Sequence, residues 1–297
     1  ILGPSGYRAY EGTNTGGANG IYWLELIERL TDGLVRVRNL ETGGKRVVDR
    51  STTVLEADLL YPLLRGRDVG KWRATPSALI LMAQDPLRRC GFAEEEMVRR
   101  YPRTYAYLKR YEATLRQRAA FRRYFTRRTG DGRTVETAPF YSMFNVGDYT
   151  FSPYKVVWPR IAASLAAAVV GPVGGKPVIP QETLTLVGTE DAEEAYYLCA
   201  LINSAPFNLA AQSYAQKGGK SFASAHLLTY LCLPSFRRAD SRHRALAALA
   251  RQAHTLAAQD GAALAALEGE IDRLAAGLWG LTAAELHEIK ESLVEPT

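Results

Sequence analysis

The sequence predicts an α+β fold: a mixed, mostly antiparallel twisted sheet with flanking helices, followed by a C-terminal helical segment that resembles a coiled coil. The first observation is the alternation of apolar and basic residues in Leu34–Leu40, which is typical of a half-buried strand and has further short apolar runs after it. The second is the three-four spacing of leucines and alanines from Ala245 to Leu278, which is typical of closely packed helices. We therefore expect two domains, a sheet-containing domain over residues 1–236 and a helical spacer or docking segment over residues 237–297.

Composition excludes several classes of protein. The chain has 297 residues, 47% of them hydrophobic and 23% charged, which is ordinary for a folded domain. The net charge of +6 is a weak argument for an anionic partner. The three cysteines have neither metal-ligand nor redox spacing, and no apolar run is long enough to span a bilayer. We expect a cytoplasmic protein with no membrane partner and no structural metal.

In the N-terminal third, a polar loop leads into predicted strands and then into a basic loop. Tyr7–Asn19 is rich in glycine, asparagine and threonine and precedes a strand candidate at Ile21–Leu26. The strand Leu34–Leu40 has a plausible hairpin partner at Lys45–Val48. Leu60–Trp72, with the sequence LYPLLRGRDVGKW, sets cations around two glycines that permit close approach of the backbone to another surface. We expect this loop to present positive charge; a solvated turn between two strands is the alternative.

The basic excess of the chain is concentrated in Glu94–Arg128, where apolar residues recur at helical spacing. We expect one or two amphipathic helices here. Between Arg99 and Arg128 there are eleven arginines and lysines and a single acid, Glu112, so the usual pairs within a helix are absent. This pattern favours an anionic partner over a merely solvated face. The following segment, Pro139–Pro159, is dense in aromatics that either pack in the core or stack on nucleic acid.

The second half of the chain predicts further strands and then helices. The strands are expected at 162–173, 176–179 and 183–187, and helices at 191–203 and 207–214. Gln216–His226 is a glycine- and serine-rich loop that can offer backbone N–H groups and two lysines to a phosphate. The alanine- and leucine-rich stretch forms either two antiparallel helices or one bent helix, and Thr282 with Glu285 marks the start of a last helix.

No catalytic constellation is visible. The four histidines lack zinc-ligand spacing, no serine lies in a GxSxG motif, and no glycine run matches GxGxxG. The carboxylates stand singly, so no acid–base pair is predicted. We therefore name no catalytic residue and no metal ligand, and the sequence argues against an autonomous catalytic domain.

Several stretches occur in an order that resembles a known family. In chain order these stretches are NTGGANGIYWLE, LLYPLLRGRDVGKW, PFYSMFNVGDYTFSPYKVVW, YYLCALINS, LCLPSF and IDRLAAGLWGLT. Together they resemble the C-terminal region of adenine-specific DNA methyltransferases and fused restriction-modification enzymes, which carries a TaqI-like target-recognition domain. In that family a separate N-terminal domain binds S-adenosylmethionine and holds the flipped adenine with an NPPY-type motif.

The resemblance implies DNA recognition without methyl transfer, because this sequence contains neither NPPY nor DPPY. The expected partners are double-stranded DNA and the N-terminal methyltransferase domain of the same parent protein. S-adenosylmethionine is expected in that catalytic domain, and no cofactor is expected in this chain. The start at Ile1, without methionine, is consistent with a fragment of such a parent.

A domain that reads DNA needs cations for the phosphates and amide, hydroxyl or guanidinium groups for the base edges. We expect phosphate contacts from Arg65, Arg67, Lys71, Arg73, Lys217 and Lys220. We expect base or groove contacts from Asn14, Thr15, Tyr141, Asn145 and Ser221. The alternative function is a protein-interaction or scaffold module in which the basic helices and the C-terminal helices dock an acidic partner.

Overall fold

The computed structural model describes residues 1–40, 48–162, 164–215, 223–257, 259 and 261–294. The strands are β1 (Tyr10–Glu11), β2 (Trp23–Arg29), β3 (Leu34–Asn39), β4 (Thr52–Glu56), β5 (Leu60–Leu64), β6 (Val69–Gly70), β7 (Arg73–Ala74), β8 (Ala78–Leu81), β9 (Gln84–Asp85), β10 (Cys90–Gly91), β11 (Thr126–Arg128), β12 (Thr134–Glu136), β13 (Tyr154–Pro159), β14 (Ala168–Val170), β15 (Ile179–Pro180) and β16 (Leu184–Thr189).

The helices are α1 (Asn19–Tyr22), α2 (Glu94–Arg100), α3 (Pro102–Lys109), α4 (Glu112–Arg116), α5 (Ala119–Tyr124), α6 (Asp148–Phe151), α7 (Ala192–Asn203), α8 (Ala205–Ala215), α9 (Leu227–Tyr230), α10 (Ser241–Leu256), α11 (Gly261–Leu278) and α12 (Ala283–Val294). Two short 3-10 helices lie at Ala57–Leu59 and Gly66–Asp68. The expected α+β fold is confirmed.

Two larger sheets organise the described chain. One has six strands in the order β15-β5-β8-β2-β3-β4, and the other has four in the order β1-β16-β13-β14. Every ladder in them is antiparallel except the one between β15 and β5. Three two-stranded ribbons, β6–β7, β9–β10 and β11–β12, complete the described strands.

Three hydrophobic clusters hold these layers together. The six-stranded sheet packs against α1 to α5 and residues 138–146, and the four-stranded sheet packs against α7, α8, α10 and α11. A smaller cluster fills the space between the sheets; it includes Leu64, Val157 and Leu186. Strand β13 alternates between two of these cores, since Val156 and Trp158 face the helices while Val157 faces the small cluster. The C-terminal helices therefore share a core with residues that precede position 236.

Tertiary contacts explain where the elements differ from the expected ones. The stretch Glu94–Arg128 forms four short helices and a strand. One break falls at Tyr101, where Pro102 starts a new helix; the carboxylate of Glu56 caps this helix by accepting hydrogen bonds from the backbone N–H groups of Arg103 and Thr104. The predicted hairpin partner of β3, Lys45–Val48, lies mostly outside the described residues, and β3 pairs with β4 and β2 instead.

The predicted strand over residues 162–173 is reduced to β14. Asn203 uses its side chain to bond both the N–H and the carbonyl of Ala167, and Asn208 accepts from the N–H of Leu165. These amides replace the ladder bonds that a strand would make. The C-terminal stretch forms α10 and α11 as two separate helices, and Thr282 and Glu285 form the expected capping box of α12.

Candidate nucleic-acid interface

Two segments that connect the two sheets lie side by side and form the centre of the candidate site. The first follows β1 and leads to α1; the second follows the β11–β12 ribbon and leads to β13. They are joined at Asn14 and Phe144, which exchange backbone hydrogen bonds of 3.0 and 3.3 Å. Gly12 lets the first segment pass close to the residues that follow β15, because a Cβ at that position would lie 2.1 Å from the carbonyl oxygen of Gln181.

A buried arginine from the basic stretch fixes the two segments to each other. The side chain of Arg118 is 1% exposed, and its guanidinium donates to the carbonyl oxygens of Thr15, Phe140 and Ser142 at 2.7–2.9 Å. It also donates to the carbonyl of Leu115 at 2.8 Å. Sequence reasoning counted Arg118 among the cations offered to a partner. The structure instead assigns it a role in holding the backbone of the site.

Two amide side chains stand at the surface of this junction. Asn14 accepts a hydrogen bond from the N–H of Gly16 at 2.8 Å, so its Oδ1 is used locally. Asn145 adopts a left-handed backbone with φ of 57°, and its Nδ2 donates to Glu11 at 3.2 Å. The Nδ2 of Asn14 and the Oδ1 of Asn145 have no partner among the described residues. Both atoms are therefore available to the edge of a base.

A column of stacked rings and cations lies beside Asn145. The rings of Tyr10 and Tyr149 are parallel within 4° with centroids 3.8 Å apart, and the guanidinium of Arg8 lies 5.1 Å from the Tyr10 centroid. Burial raises the pKa of Tyr149 to about 12, so its phenol is neutral near pH 7. These residues line a groove of about 610 Å³ whose other wall includes His226.

On the other side of Asn14, the basic stretch reaches the same surface through a second ring pair. Tyr124 is 50% exposed and stacks on Phe144 with centroids 5.0 Å apart, and Arg123 lies 5.3 Å from the Tyr124 centroid. We call the residues linked by these contacts the arginine–aromatic strip; its members are Arg8, Tyr10, Tyr149, Asn145, Asn14, Phe144, Tyr124 and Arg123. Of these members, sequence reasoning named only Asn14 and Asn145 as base contacts, because pairing of rings 20 to 140 positions apart leaves no local pattern.

The first half of the predicted basic loop is ordered by its own acid. Arg65 is 13% exposed; its Nε lies 3.2 Å from Asp68, and its Nη2 donates to Ser77 at 2.5 Å. Arg67 is 73% exposed; its Nε lies 4.0 Å from Asp68, at the outer limit of an ion pair, and its guanidinium is accessible to a phosphate. Gly66 is packed closely, since a Cβ there would lie 2.7 Å from Thr183. Of these two arginines, Arg67 alone has the exposure that a phosphate contact requires.

The second half of the loop binds the C-terminal helices. Lys71 forms an ion pair of 2.7 Å with Glu268 of α11, and the buried Trp72 donates its Nε1–H to the same carboxylate at 2.6 Å. Trp72 also packs edge-on against His254 of α10. The charge of Lys71 is thus compensated within the chain, whereas Arg73 is exposed.

The remaining predicted site residues divide into two groups. Thr15 and Tyr141 are fully buried, contrary to the expectation that they face a ligand. The hydroxyl of Thr15 donates to Asn19, and that of Tyr141 donates to the carbonyl of Phe92. Both hydroxyls are therefore used in hydrogen bonds within the chain. Lys217, Lys220 and Ser221 lie outside the described residues.

The described ranges contain neither a cluster of metal ligands nor a membrane-spanning helix. No group of three or more histidine, cysteine, aspartate or glutamate side chains there has the geometry to hold a metal ion. None of the described helices combines the length and the apolar character that crossing a membrane requires.

Comparison with known proteins gives a sequence relative and solved structures with a similar fold. The chain is 25% identical over 150 residues, half of its length, to the type II methyltransferase M.NspV of Nostoc sp. (strain ATCC 29411 / PCC 7524). Its fold is similar, with a TM-score of 0.53 and 10% identity, to that of the type IIL restriction-modification enzyme MmeI, solved in complex with DNA. No protein family model matches the sequence.

Both matches cover only part of the related protein. The alignment covers 28% of the methyltransferase, and the structural match covers 97% of this chain but 36% of MmeI. The chain is therefore related in sequence to part of a type II methyltransferase, and it has the fold of part of a restriction-modification enzyme.

Proposed function

We propose that this chain is the DNA target-recognition part of an adenine-specific DNA methyltransferase of a restriction-modification system. The observation that carries the proposal is the arginine–aromatic strip, in which two surface asparagines with free hydrogen-bonding atoms lie between exposed arginines and stacked rings. Arginines on phosphates give affinity, and amides at base edges give sequence preference.

The comparisons support this proposal in two ways. The sequence relative is named as a type II methyltransferase, and the structure with the similar fold was solved with DNA bound. In the proposal the domain is of the TaqI-like kind. Methyl transfer and S-adenosylmethionine binding belong to an N-terminal catalytic domain outside these 297 residues, which is also the protein partner of this chain.

Duplex binding by the 297-residue chain tests the proposal. A fluorescent pool of random duplexes, enriched through repeated rounds of binding, is expected to converge on a preferred sequence. The affinity for that sequence is expected to fall steeply with salt, because phosphate contacts release counterions. A chain that binds no duplex at low salt would overturn the proposal.

The two asparagines provide a sharper test. Asn14→Ala and Asn145→Ala are expected to reduce the preference for the selected duplex over a scrambled one, while binding to the scrambled duplex changes little. Gln252→Ala, an exposed amide on α10, is the matched control and is expected to preserve the preference. Unchanged preference in both asparagine variants would contradict the role given to the strip.

A further inference from the structure

The β11–β12 ribbon is the most exposed structured element that adjoins the arginine–aromatic strip. It follows α5 directly, and almost every residue from 127 to 137 is exposed. The pairs Thr126–Glu136, Arg127–Val135 and Arg128–Thr134 define its register. An isolated two-stranded ribbon buries too little surface to be stable by its own packing, so contacts with the rest of the chain must stabilise it.

Contacts at both ends make the ribbon a defined structure. At its base, Glu136 pairs with Arg116 of α4, and the N–H of Thr137 donates to the carbonyl of Phe125 at 2.9 Å. At its tip, the N–H of Thr129 donates to the carbonyl of Arg133 at 2.8 Å, and Gly132 takes a φ of 83°. The ribbon is therefore pre-shaped before it meets a ligand.

The positive charge on the ribbon is only partly compensated. Asp131 pairs with Arg133 and also accepts from the Thr129 hydroxyl and the N–H of Arg133, and Glu136 pairs with Arg116. Arg127 and Arg128 have no carboxylate partner among the described residues and are both exposed. Together with Arg122 and Arg123 at the end of α5, they form a positive edge that continues the strip.

We propose that this ribbon enters the major groove of the bound duplex and reads bases there, an inference that rests on the proposed function. A two-stranded β-ribbon has a width that the major groove admits. Because side chains alternate along a strand, Arg128 and its cross-strand partner Thr134 share one face, and Arg127, Val135 and Arg133 share the other. The first face also carries Thr126 and Glu136, which bond α5 and α4 at the base of the ribbon and leave Arg128 and Thr134 as its outer pair.

The two faces take different roles. The face of Arg128 and Thr134 carries hydrogen-bonding groups opposite each other, and arginine pairs bidentately with the O6 and N7 of guanine. We assign this face to the base edges. The other face places an apolar valine between two arginines, and we assign its Arg127 to a phosphate on the groove wall.

The test compares Arg128→Ser, Arg127→Ser and the control Arg273→Ser, which removes an exposed arginine of α11. Circular dichroism first confirms that each variant is folded. Anisotropy then compares the selected duplex with a scrambled one. Arg128→Ser is expected to reduce discrimination by about 5- to 150-fold. Arg127→Ser is expected to weaken both duplexes equally and to reduce the salt slope by about one.

Chemical interference identifies the groove. Dimethyl sulfate methylates guanine N7 in the major groove and adenine N3 in the minor groove. With the unchanged chain, we expect interference at a guanine N7, and we expect Arg128→Ser to abolish it. Interference confined to adenine N3, or discrimination by Arg128→Ser equal to that of the unchanged chain, would overturn the inference and leave the proposed function standing. A chain that binds no duplex overturns both.

Discussion

The guanidinium of Arg118 donates to the carbonyl oxygen of Thr15 at 2.8 Å, across 103 positions of sequence. With its bonds to Phe140 and Ser142, this contact fixes the spacing of the two segments that present Asn14 and Asn145. The guanidinium of Arg118 bonds only backbone carbonyls and has no carboxylate partner among the described residues. These hydrogen bonds therefore depend on the shape of the side chain at position 118.

Arg118→Met is expected to lower the free energy of unfolding by more than about 3 kcal/mol, because buried carbonyls that lose their donor each cost about 1–3 kcal/mol. Arg118→Lys supplies fewer donors and is expected to have an intermediate effect. Urea unfolding measures both, with the exposed Arg122→Met as control. Equal stability of Arg118→Met and the unchanged chain would contradict the role of Arg118.

Arg65 and Arg67 are expected to behave differently even though the sequence suggests equivalent roles. Arg67→Ala is expected to leave stability unchanged and to reduce the salt slope of duplex binding by about one, since its side chain is exposed. Arg65→Ala is expected to lower stability by about 1–2 kcal/mol, because its bonds to Asp68 and Ser77 are lost. Anisotropy at several salt concentrations and urea unfolding distinguish the two; identical profiles would refute this division.

Replacing Glu268 is expected to lower the stability of the chain more than replacing Lys71, with which it pairs. Glu268→Ala leaves the buried indole N–H of Trp72 without its acceptor, at a cost of about 1–3 kcal/mol. Lys71→Ala removes a partly exposed ion pair, which is worth at most about 1 kcal/mol. Thermal unfolding of the two variants shows which one is less stable. Lys71→Ala is also expected to retain duplex binding, and a large loss of affinity would restore Lys71 to the phosphate contacts.

Lys155 is expected to make stability depend on pH. Burial lowers its pKa to about 7 in the folded chain, from an ordinary value of 10.5, and its Nζ donates to the carbonyl of Ser152 at 2.5 Å. Between about pH 7 and 10.5 the unfolded chain binds more protons than the folded chain, so this group makes stability rise with pH through that window. Below about pH 7 the lysine is charged in both the folded and the unfolded chain, so almost the whole free-energy cost of burying its charge is present.

Lys155→Met is expected to remove this slope and to raise stability at pH 7 by a few kcal/mol, since each pKa unit corresponds to about 1.4 kcal/mol. Urea unfolding from pH 6 to 10 measures it. Lys109→Met serves as control, because the hydrogen bond that Lys109 donates to Glu112 raises the pKa of Lys109 above its ordinary value of 10.5. A slope that persists in Lys155→Met would assign the pH dependence to other groups.

Local patterns predicted much of the fold and less of the site. Helix α7 begins where the acidic turn after Asp191 indicates, and α12 begins at the Thr282–Glu285 capping box. By contrast, the N-terminal cap of α3 depends on Glu56, and the length of β14 depends on Asn203; both partners are distant in sequence.

The sequence by itself determined the α+β class and the concentration of arginines, because periodicity and composition are local properties. Only the tertiary structure decided which cations are free. It buries Arg118, pairs Lys71 with Glu268 and leaves Arg67, Arg127 and Arg128 exposed. The physical reason is that the availability of a charge depends on the acceptors that folding brings to it, and those acceptors come from other parts of the chain.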